Sequence, residues 1–269
     1  MRTKLSKGAL LRPFLCLTVC IALFAPAAAL AADCSALGTL HHARVRYVID
    51  GDTLILDSGR HIRIIGLNAP EIGHDGAPDE PYARAARERL TRLLTAADER
   101  IAWSAGPERR DHYGRTLAHV YAAGQDVSRV LLEAGLAAVI AIPPNVRRST
   151  CYVAAERAAR RAGRGLWALD AHVVHDAARP LGAGFEIVRG RVTDVSVKRP
   201  GTLLRLDHSL NVWIPAANRS YFRQSLEALA GSRVLVRGWQ QDYHGEPEIV
   251  VHHPAALTVL EEAAPASGG

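Results

Sequence analysis

Lysine is almost missing from this chain of 269 residues, which holds only Lys4, Lys7 and Lys198. Long apolar runs are missing too, except for one at the start, so no later segment reads as a membrane span. Cysteine is sparse: of four in all, only Cys34 and Cys151 lie beyond residue 32. Net charge nearly vanishes once that first segment is set aside. The chain has 33 basic and 27 acidic residues; residues 1–32 carry four of the bases and no acid, leaving 29 against 27, a net of +2. That balance excludes a strongly basic nucleic-acid binder held by overall charge. Any attraction for phosphate must come from local placement. The remaining positive charge is almost all arginine, the better fork for phosphate oxygens, although a GC-rich genome gives the same bias.

What is present begins with a signal. Arg2, Lys4, Lys7 and Arg12 precede an apolar run over residues 14–30, and Ala29-Leu30-Ala31 is a small-x-small site. Residues 1–32 therefore read as a secretion signal cut after Ala31; the alternative is an uncleaved anchor over residues 13–32. The mature chain is expected outside the cytoplasm, secreted or periplasmic, with no stable membrane association. Oxidising conditions there predict a Cys34–Cys151 disulfide, against an alternative of two free buried thiols.

The densest stretch runs from Val48 to Glu71. It is apolar enough for a core, yet it carries Asp50, Asp52, Arg63, Asn68 and Glu71. Buried charges cost several kcal/mol each unless they meet each other, a metal or an anion. Strands are expected over residues 43–49, 53–56, 61–67, 100–104 and 116–121, and helices over 82–97, 126–134 and 150–162. Asp126 reads as a helix cap and Gly135 as its stop. The pattern predicts a mainly β protein with helices (α+β), starting with a small barrel that has helices packed against it.

Four motifs stand in register: Asp50-Gly51-Asp52-Thr53; Arg63 with Asn68-Ala69-Pro70-Glu71; Asp111-x-Tyr113-Gly114-Arg115; and Gly165-Leu166-Trp167. Over residues 43–169 the chain thereby resembles the staphylococcal nuclease-like (thermonuclease) family. The resemblance implies an OB-fold barrel and calcium-dependent (Ca2+) hydrolysis of DNA and RNA to 3′-phosphate ends. It implies metal ligation by Asp52, Asn68 and the backbone carbonyl of Ala69. It places Arg63 and Arg115 on phosphate, Glu71 on the attacking water as base or positioner, and Tyr113 on substrate. Structural alternatives stand beside these: a turn shaped by Asp50 and Asp52, ion pairing by the arginines, packing by Tyr113. A metal and two guanidiniums suit the extra negative charge of a five-coordinate phosphorus.

Two departures matter. The family usually has Asp where this chain has Asn68, which keeps an oxygen for a hard cation but removes a charge. Tyrosines that stack on bases in the family are missing from residues 141–145. The twelve histidines include the adjacent pairs His41-His42 and His252-His253, which on strands point to opposite faces and chelate poorly.

Residues 33–170 are expected to form the nuclease-like domain, 171–184 a linker, 185–262 a second, smaller OB-like barrel, and 263–269 a disordered tail. Strands are expected over 185–197, 202–206, 210–214, 232–239 and 248–251, with a helix over 216–230. Gly231-Ser232-Arg233-Val234-Leu235-Val236-Arg237-Gly238 and His253-Pro254 resemble small OB domains of exported bacterial proteins. Trp213, Tyr221, Trp239, Tyr243, Arg189, Arg191 and Arg237 are candidates for single-strand binding there, but its acids and bases balance, which favours packing. Three functions compete: an exported nuclease, a nucleic-acid-binding protein that has lost turnover through Asn68, and an envelope protein docking an unknown protein partner.

Overall fold

The computed structural model describes Cys34 and residues 38–169, 173–179, 182 and 184–261. The expected signal segment and the expected tail lie outside the described residues. Among those described, no helix is long and apolar enough to cross a membrane.

The first barrel is built from β1 (His41–Val48), β2 (Thr53–Leu56), β3 (His61–Ile64), β5 (Arg100–Arg110) and β6 (Thr116–Ala122). Neighbours run antiparallel in the order β3-β2-β1-β5-β6, and a parallel pairing of β3 with β6 closes the ring. Shorter strands flank it: β4 (Leu67–Asn68), β7 (Gln125–Asp126) and β8 (Ala138–Val139), with β4 paired to β8. Three helices cover the barrel: α1 (Ala83–Thr95), α2 (Val127–Glu133) and α3 (Ser149–Arg161). α1 turns Ala83, Ala86, Leu90, Leu93 and Leu94 inward at helical spacing and leaves its arginines outside. Asp126 caps α2 by accepting the Arg129 N–H at 2.9 Å. Leu54, Ile62, Ile64, Leu90, Leu131 and Leu132 fill the core at 0% exposure, and each such side chain stabilises the fold by about 1.5–3 kcal/mol.

The expected strand over residues 61–67 breaks in two. Gly66 has φ +94, and a β-carbon there would stand 2.2 Å from the ring of the buried Tyr152. Only glycine fits that conformation and that approach. The turn carries the chain out of the barrel ladder and onto β8. Cys34 is disulfide-bonded to Cys151 of α3, with α-carbons 5.8 Å apart. Beside it, Arg148 donates to the Cys34 carbonyl at 2.6 Å and pairs with Asp126. Tyr152 donates to Asp126, and His119 meets the Tyr152 hydroxyl at 2.9 Å.

The second barrel closes by the same rule. Its strands are β9 (Val174–Asp176), β10 (Gly184–Val197), β11 (Gly201–Leu206), β12 (Leu210–Pro215), β13 (Arg233–Tyr243), β14 (Glu246–Val250) and β15 (Leu257–Glu261). The order β13-β14-β12-β11-β10 returns to β13, making a second ring of five strands, with β9 and β15 at its margins. The segment read as a linker thus carries β9, parallel to β10. The helix expected over residues 216–230 is instead two short 3-10 turns, Ala216–Tyr221 and Glu227–Leu229. The first buries no residue, so no apolar stripe exists to hold a continuous helix on the barrel.

Between the barrels, Ala138, Ala159 and Trp167 pack with Val174, Ile187 and Leu235. Arg237 of β13 is ion-paired with Glu156 of α3, both nearly fully buried.

Candidate active site

Three segments converge at one end of the first barrel. The β1–β2 turn contributes Asp50 and Asp52, β3 contributes Arg63, and the chain from β4 onward contributes Asn68, Ala69 and Glu71. Gly51 permits the packing: a β-carbon there would lie 2.6 Å from that of Ala69 and 2.7 Å from that of Ala86.

Asp52 is 1% exposed. Its Oδ2 accepts the Ala69 N–H at 2.8 Å and pairs with Arg63 Nη2 at 3.0 Å; its Oδ1 accepts the Thr53 hydroxyl at 2.9 Å. Arg63 is as tightly held. Its Nη1 donates to the carbonyls of Ile64 and Leu67 at 3.0 and 2.9 Å, and its Nη2 donates to Asn68 Oδ1 at 2.9 Å. Asp52, Arg63, Asn68 and Ala69 are therefore in direct contact. One guanidinium rests on both side-chain oxygens proposed from sequence as metal ligands.

Asp50 does shape the turn, its Oδ1 accepting the N–H groups of Asp52 and Thr53 at 2.9 and 2.7 Å. Burial, with the charges of Asp52 and Glu71, nonetheless pushes its carboxyl up to about 7. Glu71 is open to solvent on one side, while neighbouring atoms strip part of its hydration. That desolvation and the charges of Asp52 and Glu80 raise its carboxyl, with Arg63 and Arg115 pulling the other way. Glu80 accepts the Glu71 N–H at 2.9 Å. Sequence reasoning missed this brace, because the link spans a loop with no periodic pattern.

Arg115 immediately precedes β6. Asp111 Oδ1 accepts the N–H groups of Tyr113 and Arg115, and its Oδ2 takes the Arg115 Nε at 2.7 Å. Burial works against the Asp111 carboxylate, but its bonds with Arg115 hold it below the usual range. Sequence reasoning missed this clamp, although an Asp ahead of a Gly-containing turn is the signal for a side-chain-closed turn. Tyr113 is 73% exposed, with the Arg115 guanidinium 5.2 Å from its ring centre. It is not a packing residue; it stands out at the rim with one face toward Arg115.

The donors here are all oxygen: carboxylates of Asp50 and Asp52, the Asn68 amide and the peptide carbonyls of the β4 loop. That set fits a hard cation, and the carboxyls of Asp50 and Glu71, raised by burial first and then by their acidic neighbours, are ones that a nearby positive charge would favour in the ionised form. Among the described residues no three His, Cys, Asp or Glu side chains gather at metal-ligand geometry. A cation would therefore draw on amide, peptide and substrate oxygens as well.

Comparison with known proteins points the same way. The family model described as staphylococcal nuclease homologue matches residues 61–169. The chain is 38% identical over 119 residues to a Paracoccidioides lutzii protein named "Probable endonuclease LCL3", covering 40% of this chain and 33% of that one. It is 32% identical over 126 residues to the thermonuclease of Staphylococcus intermedius, covering 46% of this chain and 74% of that one. It is 30% identical over 131 residues to endonuclease YncB of Bacillus subtilis, covering 47% and 62%. The match thus spans about a third of the fungal relatives' length and three quarters of the staphylococcal one. With that identity and that coverage of the staphylococcal protein, this chain belongs to the staphylococcal nuclease homologue family.

Proposed function

We propose that this protein is an exported, calcium-dependent nuclease that hydrolyses phosphodiester bonds in DNA and RNA, leaving 3′-phosphate ends. The observation that carries this is the convergence of Asp52, Arg63, Asn68 and Ala69 in direct contact, with Glu71 in the field of Arg63 and Arg115. The names of the relatives support it, as does an oxygen-only donor set. The Cys34–Cys151 pair supports export.

Asp52, Asn68 and the Ala69 carbonyl would hold the cation. When bound, it supplies positive charge beside the scissile phosphate. The chain's own residues do the rest. Arg63 and Arg115 take non-bridging phosphate oxygens and stabilise the charge that gathers on them as phosphorus becomes five-coordinate. Glu71 holds a water in line and takes its proton as oxygen bonds to phosphorus. Partial desolvation raises its carboxyl, which makes the ionised form a stronger base than a fully hydrated carboxylate. The phosphorus–O5′ bond breaks, the 5′ oxygen picks up a proton from solvent, and the phosphate stays on the 3′ side. Asp111 aims Arg115, and Glu80 fixes the backbone at Glu71. Tyr113, exposed against Arg115, is placed to meet the same phosphate.

A second reading has one observation in its favour. Arg63 lies on both Asp52 and Asn68, which is how the site would look in a binder without turnover. An activity gel on single-stranded DNA decides. Clearing with calcium and none with a chelator supports the nuclease; retention of the strand without cutting supports the binder; neither sinks both.

A further inference from the structure

The face of β13 that meets the first barrel carries chemistry outside the site above. Arg237, Trp239 and Gln241 alternate along β13 and share that face. Arg237 pairs with Glu156, whose Oε2 also accepts the Val139 N–H at 2.6 Å. This pins β13 against β8 and the residues that follow it. Next along, the two barrels enclose a groove of about 230 Å3, lined by Ile140, Ala141, Ile142, Phe185, Trp239 and Gln241 among others.

Trp239 is 47% exposed and Ile142 42%. The indole is nevertheless fixed: Phe185, its partner across β10 and β13, meets it edge to face with ring centres 5.2 Å apart. A tryptophan already immobilised yet uncovered loses little freedom when a flat ring settles on it. The groove is also nearly neutral. Arg237 is consumed by Glu156, and burial lowers the basicity of His252, the other titratable side chain lining it. It therefore suits a base rather than a phosphate. Its lining starts at Ile140, two residues after Ala138, which faces Asn68 of the candidate active site across the β8–β4 pairing. Ile142 lies four residues beyond Ala138 and so at most about 13 Å from it, at ~3.3 Å per residue.

We propose that the groove between the barrels is a subsite for a nucleobase of single-stranded substrate, stacked on Trp239 a short way from the bond to be cut. The proposal rests on the nuclease reading for its ligand class. Trp239 touches substrate in this account but takes no part in bond breaking. The small side chain of Ala141 leaves the floor open, and the second barrel supplies the aromatic wall.

The test is binding of a fluorescent oligothymidylate of about eight nucleotides by anisotropy, in chelator so that nothing is cut. Trp239→Ala should weaken binding about tenfold, the ordinary loss for one stacked base, and Trp239→Phe should restore most of it. Thermal melts confirm that each variant is folded. Equal affinity of Trp239→Ala and wild type for this strand overturns the subsite. So does no binding by the wild type. If binding depends on Trp239 but calcium elicits no hydrolysis, the subsite stands and the nuclease reading falls. If hydrolysis occurs and Trp239→Ala binds normally, the subsite alone falls.

Discussion

In the proposed cation site, Asn68 sets the charge of the cradle. Its amide oxygen already accepts from Arg63 at 2.9 Å, so a cation must compete with a guanidinium there for a neutral ligand. Asn68→Asp adds a charge without changing shape and should tighten calcium binding about tenfold, some 1.4 kcal/mol; calorimetry reads this, and an unchanged Kd would place residue 68 outside the ligand set. His119 gives a second prediction. Burial first, then Arg148 and Arg147, depress its basicity to about 4, from an ordinary 6.5. Below pH 6.5 the unfolded chain takes a proton that the folded chain refuses. Stability contributed by the neutral ring is thus complete above 6.5 and is lost as pH falls toward 4, at up to about 1.4 kcal/mol per pH unit. Urea unfolding across that window should show the slope, and His119→Gln should flatten it; a slope unchanged by the substitution would mean that other groups cause it. At this scale the sequence was legible where charge stood in an apolar stretch: Asp52, Arg63 and Asn68 meet one another, as buried polar groups must. It was not legible for Glu80 or for the Asp126–Arg148–Tyr152–His119 cluster, whose two halves, on β6–β7 and at the start of α3, are 22 residues or more apart and meet only when α3 packs on the barrel.

Periodicity placed most strands and all three α-helices, since alternation and helical spacing record which face is buried. It did not show where a strand must stop. Gly66 ends β3 because its φ of +94 and the Tyr152 ring beneath it exclude any β-carbon, and this turn brings Asn68 into the site. Gly66→Ala should therefore cost about 2–4 kcal/mol. Gly124→Ala, at φ +71 with open space around it, should cost about 1 kcal/mol, the conformational penalty alone. Chemical denaturation of the two variants compares them, and equal losses would show that the Tyr152 contact is soft. The short helical turns at Ala216–Tyr221 and Glu227–Leu229 teach the converse. The residues there favour helix locally, but with little to bury they form only single turns.

The two barrels were legible as separate patterns, and their joint was not. Glu156 and Arg237 are 81 residues apart, and Arg237, a candidate for single-strand binding by sequence, is instead buried on Glu156. Their buried pair costs much desolvation, so removing one partner should destabilise strongly. Arg237→Met should lose about 3–5 kcal/mol. Adding Glu156→Gln should recover most of that, because the amide oxygen still accepts from Val139. A single variant as mild as an ordinary surface change would mean that the pair is solvated and the barrels are loosely joined.

The central claim is that one carboxylate delivers solvent to a phosphate held by two arginines and a cation. Single-turnover cleavage of single-stranded DNA by wild type and Glu71→Gln in calcium, beside their affinities for the same strand, tests it most directly. The account predicts a rate lower by about 10²–10⁴ with affinity changed only slightly. Equal rates, or a loss of affinity as large as the loss of rate, would contradict it.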